Sequence, residues 1–214
     1  MLSLSHSRFH GTQHLCTLDV GGGSVVNETP NTLARIALRW MIRECFKTDS
    51  GIMFTSDTLP AVGLDPASLY PFVAKRPPAL SGVGMKLQSI PPPNAVDASD
   101  KVDNLVTIER SEEEHELLDA LSPVYDQLDL KWHWWILEFI PFKQRWQAND
   151  GSWKTSSRCN LGNGRSIPRQ RTGIVKVHRS VKIRMEAEFE NGKKYVPKAS
   201  FETAEKLGHL VWMD

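Results

Sequence analysis

Apolar residues first fall into a regular pattern at Leu33, Ile36, Ala37, Trp40, Met41 and Phe46. That spacing predicts a helix over 31–46 with one apolar stripe. Asn31 or Thr32, just after Pro30, is placed to cap it, and Gly51 lies just past its end. Arg35, Arg39, Arg43 and Glu44 fall on the opposite side. A second helix is announced by Ser111 and Glu114, a capping-box pair, with Glu112, Glu113 and Glu114 in the first turn where they suit the helix dipole. Leu117, Leu118, Leu121, Val124 and Leu128 give its apolar face. A short aromatic helix is expected from Lys131 to Ile140, stopped by Pro141. Trp146, the turn Asn149-Asp150-Gly151 and Trp153 predict a β-hairpin. Beyond it lie a turn at Leu161-Gly162-Asn163-Gly164, a strand at Ile174 to Val177 and a last helix at Ser180 to Glu188, before Gly192.

Between the two main helices the pattern breaks down. Pro60, Pro66, Pro71, Pro77, Pro78 and Pro91-Pro92-Pro93 forbid long helices and central strands from Pro60 to Asp100. This stretch reads as an extended connector with one short helical turn near Asp65 to Tyr70. The first thirty residues are low in charge and run into the glycine-rich turn Asp19-Val20-Gly21-Gly22-Gly23-Ser24.

The 214 residues carry 26 Lys and Arg against 25 Asp and Glu, a formal net charge of +1. That balance argues against a dedicated nucleic-acid binder, but the charge is unevenly placed. Residues 96–130 hold eleven acids against Lys101 and Arg110, a local net of −9. Residues 155–185 hold Arg158, Arg165, Arg169, Arg171, Lys176, Arg179, Lys182 and Arg184 with no acid. Two opposed patches in one chain either neutralise each other or leave the basic one for an anionic surface. No apolar run approaches the roughly 20 residues of a membrane span, and the first residues lack the apolar stretch of a secretory signal. Cys16, Cys45 and Cys159 lie far apart with no CxxC pair, so no disulfide framework, metal or cofactor is expected, and an intracellular, cytoplasmic setting fits.

No G-x-S-x-G nucleophile elbow, phosphate loop, dinucleotide fingerprint or H-E-x-x-H motif is present. Of the seven histidines, only His14 stands near the glycine-rich turn with an acid, Asp19, close by. Trp132, Trp134, Trp135, Trp146 and Trp153, with Phe139 and Phe142, gather five of the seven tryptophans in one region. They read either as an aromatic core between a helix and a hairpin, or as a lip against lipid head groups helped by Lys131, Lys143 and Arg145.

The turn Asp19-Val20-Gly21-Gly22-Gly23-Ser24 followed by Leu33-Ala34-Arg35-Ile36-Ala37-Leu38-Arg39-Trp40-Met41 resembles a known family. This is the α/β-hydrolase-like domain of unknown function, widespread in fungi, that includes the catalytic domain of type VI secretion phospholipase effectors. Gly63-Leu64-Asp65-Pro66, Trp134 to Pro141, Gly164 to Pro168 and Val177 to Val181 extend the resemblance to about residues 19–200. It implies an α/β fold: the C-terminal portion of a hydrolase-like sheet with helices, plus the proline-rich connector and a small helix and hairpin appendage. Residues 1–18 form an unmatched N-terminal segment and 201–214 a C-terminal tail.

In that family the nucleophilic serine and the triad aspartate lie upstream of the matched stretch, and neither has a counterpart here. Its histidine stands two residues before the turn's aspartate. Here Thr17 occupies that position, and His14, five before Asp19, is the remaining candidate base. The resemblance therefore implies a fragment of a phospholipase- or esterase-like hydrolase, inactive alone, with residues 1–18 a truncated or mis-spliced replacement. The alternative is a non-catalytic remnant that binds a membrane surface or a protein.

Overall fold

The structure is a computed structural model of the chain. It describes residues 25–26, 29–90, 110–147, 150–164, 166–167, 175–201 and 210–213. His14, Thr17 and the turn Asp19 to Ser24 lie outside them, as do Arg165, Arg169 and Arg171.

The first helix, α1 (Leu33–Lys47), forms where the periodicity places it. Thr32 stands at its N-cap without a side-chain cap bond. Its backbone N–H instead donates to Asp119 Oδ1 at 2.9 Å, so a carboxylate from the second helix closes the end of the first. That second helix, α2 (Glu112–Leu121), carries the expected capping box between Ser111 and Glu114. Two short helices follow, α3 (Gln127–Leu130) and α4 (Trp135–Glu138), with a 3-10 turn at Trp132–Trp134 between them. The last, α5 (Arg179–Glu186), begins right after a strand, and His178 accepts the Ser180 N–H at its start.

The mixed α/β content is present, but the described strands do not form one hydrolase-like sheet. They are β1 (Lys86–Leu87), β2 (Phe142–Gln147), β3 (Trp153–Arg158), β4 (Ser166–Ile167), β5 (Val175–His178), β6 (Glu188–Phe189), β7 (Ser200–Phe201) and β8 (Leu210–Met213). They pair as four separate two-stranded ladders. Three are parallel, β1 with β6, β4 with β7 and β5 with β8. The fourth, β2 with β3, is the antiparallel hairpin. Strands β5 and β8 are parallel and joined by a long crossover connection that runs through α5, β6 and β7, as parallel pairing requires. Part of the segment expected to be a tail, Leu210–Met213, is thus in register with Val175–His178.

The main core joins α1, α2, α5 and the β1·β6 ladder through Leu33, Ile36, Leu87, Leu117, Ala120, Leu121, Ile183 and Ala187. A second cluster corrects the reading of the proline-rich stretch as a connector. Leu59, Leu64 and Leu69 are buried with Ile42, and Phe46, Phe54, Val62 and Val73 pack around them. Prolines here do not prevent packing. They start 3-10 turns at Pro60–Val62 and Pro66–Ser68, and leucines at the turn ends drop onto α1.

The apolar stripe of α1 is buried at Leu33 and Ile36, but burial extends to the arginine side, expected to face away. Met41 is half exposed and Leu38 is exposed, whereas Arg39 and Arg43 retain only 2% and 4% of their accessible surface. The arginine side faces inward because α2 offers it carboxylates.

Candidate functional site

Two groupings in the structure could carry function: a buried charge layer at the centre and an exposed aromatic ribbon.

The charge layer follows from helical spacing. Glu112, Glu116 and Asp119 are four and three residues apart and so share one face of α2, with Glu113 beside them. Arg35, Arg39 and Arg43 are spaced by four and line one face of α1. Arg39 meets Asp119 at 2.6 Å, and Arg35 approaches the same carboxylate at 3.8 Å. Arg43 pairs with Glu112, its Nε donating at 2.8 Å. Arg76, from the proline-rich stretch, lies 3.3 Å from both Glu112 and Glu113 and pairs with Glu116. Arg179, the first residue of α5, donates to both Glu116 oxygens, at 3.0 and 2.8 Å. Arg184 donates to the carbonyls of Ala120 and Ser122 at the end of α2.

Electrostatics inside the layer differ from acid to acid. Burial works to raise the Glu116 carboxyl, but hydrogen bonding to Arg179 and the charge of Arg76 prevail and hold it at about 2. Burial prevails at Asp119, whose carboxyl titrates above the ordinary aspartate value despite Arg39 and Arg35. His115, on the same helix, rests its ring against Gly63. Burial, then the charges of Arg39 and Arg35, hold it below the usual imidazole value. The expectation of internally complementary charge patches holds for Arg179, but most of the matching cations come from Arg39, Arg43 and Arg76 outside the basic run.

Within this layer Ser180, His178 and Glu116 come close enough to invite comparison with a hydrolytic triad. Ser180 Oγ is 2.9 Å from His178 Nδ1, and Glu116 Oε1 is 3.9 Å from the same nitrogen. A triad needs the hydroxyl and the carboxylate on different ring nitrogens, so that one side takes the proton while the other steadies the charge. Here both lie on Nδ1. That nitrogen also accepts the Ser180 backbone N–H at 3.3 Å, which makes it an acceptor. All three side chains are buried, and Glu116 is committed to two arginines. His178 is the N-cap of α5, Glu116 belongs to the arginine layer, and the burial of all three side chains leaves no open approach for an ester.

The second grouping corrects the aromatic-core reading. No residue of 127–164 whose burial is described is buried. Trp132 keeps 77% of its accessible surface, and Trp134, Trp135, Ile136, Phe139, Phe142 and Trp153 are exposed with it. What holds the region is polar: Glu138 accepts from Asn160 Nδ2 at 2.7 Å and from the Gly162 N–H at 2.8 Å. Trp135 Nε1 donates to the Leu128 carbonyl at 3.0 Å. Gly162 has φ +70° and lies under the Trp135 ring, so a side chain there would meet both strain and the indole. The hairpin continues from this base, six residues against six, Phe142 opposite Arg158 through Gln147 opposite Trp153. Lys143, Arg145, Lys154 and Arg158 are exposed along it, and the Arg145 guanidinium stacks 4.6 Å from the Trp153 ring centre.

Of the residues singled out in the sequence, Lys131, Lys143 and Arg145 are exposed, as are Trp132, Trp134, Trp135 and Trp153, and Arg145 stacks on Trp153. No group of three or more His, Cys, Asp or Glu side chains among the described residues could hold a metal ion. No described helix is long and apolar enough to cross a membrane. Comparison with known proteins adds no relative: no family model fits the sequence, and no curated protein or solved structure is significantly similar to it.

Proposed function

We propose that this chain is a phospholipase-like α/β-hydrolase segment whose described part seats on an anionic lipid surface and does not cleave esters by itself. The observation that carries the lipid-surface reading is the ribbon at 131–158, with exposed Trp132, Trp134, Trp135, Phe139, Phe142 and Trp153 beside Lys131, Lys143, Arg145, Lys154 and Arg158. Two-stranded hairpins are marginal in water on their own, so one exposed on both faces gains most from a further surface. Indole rings favour the head-group depth of a bilayer, and each cation near an anionic leaflet adds about 1 kcal/mol. The hydrolase half of the reading draws on the sequence resemblance, and the parallel β5·β8 pair is compatible with it.

Vesicle flotation tests the reading. The purified chain is expected to float with phosphatidylcholine vesicles containing phosphatidylserine, less so as salt is raised, with a blue shift in tryptophan emission. Failure to bind anionic vesicles at low salt refutes it. Hydrolysis of a p-nitrophenyl ester should not exceed buffer, because no G-x-S-x-G serine exists in the chain and the Ser180 trio is sealed. Turnover that disappears in His14→Ala would overturn that part.

A further inference from the structure

We infer that one face of the β2·β3 ribbon, formed by Lys143, Arg145, Thr155 and Ser157, is a binding site for phosphate monoesters. The inference rests on the lipid-surface reading and names the head group that the reading leaves open. In an antiparallel pair, residues directly opposite share a face, and so do residues two apart along each strand. The register sets Lys143 opposite Ser157 and Arg145 opposite Thr155. Two cations and two hydroxyls therefore stand at the corners of a patch about 5 Å across the strands and about 7 Å along them. A group the size of a phosphate can touch all four.

The chemistry of the patch favours a phosphate monoester over other anions. A monoester carries a charge of about −1.5 to −2 at neutral pH and three strong acceptor oxygens. Arg145 can meet two of them with its fork, Lys143 supplies a compact second charge, and the hydroxyls of Thr155 and Ser157 can take the rest. A phosphodiester offers fewer oxygens and one charge, and a serine head group adds an ammonium that two cations repel. Arg145 is steadied against Trp153, which shares its face one diagonal step away, so less freedom is lost when it binds. Neither Lys143 nor Arg145 makes an ion pair among the described residues, and no acid lies on their face of the ladder. Thr155 and Ser157 are exposed.

The ribbon's other face is a built-in control. It carries Lys154 and Arg158, the same charge, but among Phe142, Gln144 and Trp146, and its hydroxyl, Ser156 Oγ, is covered. Charge alone therefore does not distinguish the faces; the hydroxyls opposite the cations do.

The test is flotation of the full chain on phosphatidylcholine vesicles containing either phosphatidic acid or phosphatidylserine, adjusted to equal surface potential. Phosphatidic acid should be bound about tenfold more tightly. Thr155→Val with Ser157→Ala leaves the charge intact and should erase that ratio, as should Lys143→Gln with Arg145→Gln. Lys154→Gln with Arg158→Gln should weaken binding to both lipids, roughly fivefold for each cation, and keep the ratio. Circular dichroism and urea midpoints show whether each variant is folded. Equal binding of the two lipids overturns the phosphate site while the lipid-surface reading stands. Binding to neither vesicle overturns the lipid-surface reading. Amide resonances of β2 and β3 that move with glycerol 3-phosphate would then keep the site for soluble monoesters, and resonances that do not move would overturn both.

Discussion

Replacing Glu116 with Gln offers a direct measure of how far the central charge layer holds the fold. Glutamine keeps the volume and one acceptor oxygen but removes the charge that Arg76 and Arg179 share. Lowering a carboxyl from the ordinary 4.5 to about 2 corresponds to about 3 kcal/mol, at about 1.4 kcal/mol for each pH unit. Removing one partner from a buried pair costs about 3–5 kcal/mol by a separate route, so the two magnitudes agree in order. The sign follows from the direction. A carboxyl held low in the folded state contributes its full stability above pH 4.5 and loses it as pH falls toward 2. Glu116→Gln should therefore be about 3 kcal/mol less stable at pH 7, and the gap should close between pH 4.5 and 2. Urea unfolding followed by circular dichroism at 222 nm, repeated across that range, reads it. Asp119 titrates the other way, because burial raises its carboxyl, but it is present in both proteins and cancels in the difference. A gap that stayed constant with pH would show that Glu116 titrates alike in the folded and unfolded chains, and the network argument would fail.

Other consequences are simpler to check. A methyl group at Gly82 would collide with the Ile183 carbonyl inside α5, so Gly82→Ala should cost about 1–3 kcal/mol by urea midpoint. Ser111→Ala removes the cap of α2 and should cost about 1 kcal/mol, with a smaller effect if the same change is made beside Glu114→Ala. Trp132→Ala should weaken vesicle binding several-fold without lowering the urea midpoint, since the indole is exposed. A drop in stability with unchanged vesicle binding would place that ring in a core after all.

Helix positions were legible because their signals are local. The capping box at Ser111 and the spacing from Leu33 to Phe46 each depend on residues within a few turns. The burial of the arginine side of α1 was not, because it depends on α2, about seventy residues away in sequence. Taken alone, a row of three arginines four apart reads as a solvated face. Set against Glu112, Glu116 and Asp119 at matching spacing, it becomes half of a zipper, and comparing the two helical periods would have revealed it. The proline-rich stretch misled for a similar reason. Proline limits hydrogen-bonded structure, but burial is decided by the spacing of Leu59, Leu64 and Leu69, five residues apart at the ends of successive turns.

The ribbon shows where local reading is most incomplete. A cluster of tryptophans beside a hairpin is compatible with a core or a surface, since aromatic content specifies neither. Deciding between them requires a count of what else could cover the rings. From Gln127 to Gly164 the chain does supply Leu128, Leu130, Ile136, Leu137, Ile140 and Leu161, but all except the half-buried Leu128 are themselves exposed, and what pins the segment is the polar Glu138. Aromatic residues can close a core only when aliphatic groups fill the gaps between their flat faces. Where those groups are themselves left uncovered and cations stand beside them, the rings remain open to a surface of opposite charge, and the alternation along β2 and β3 decides which cations meet it.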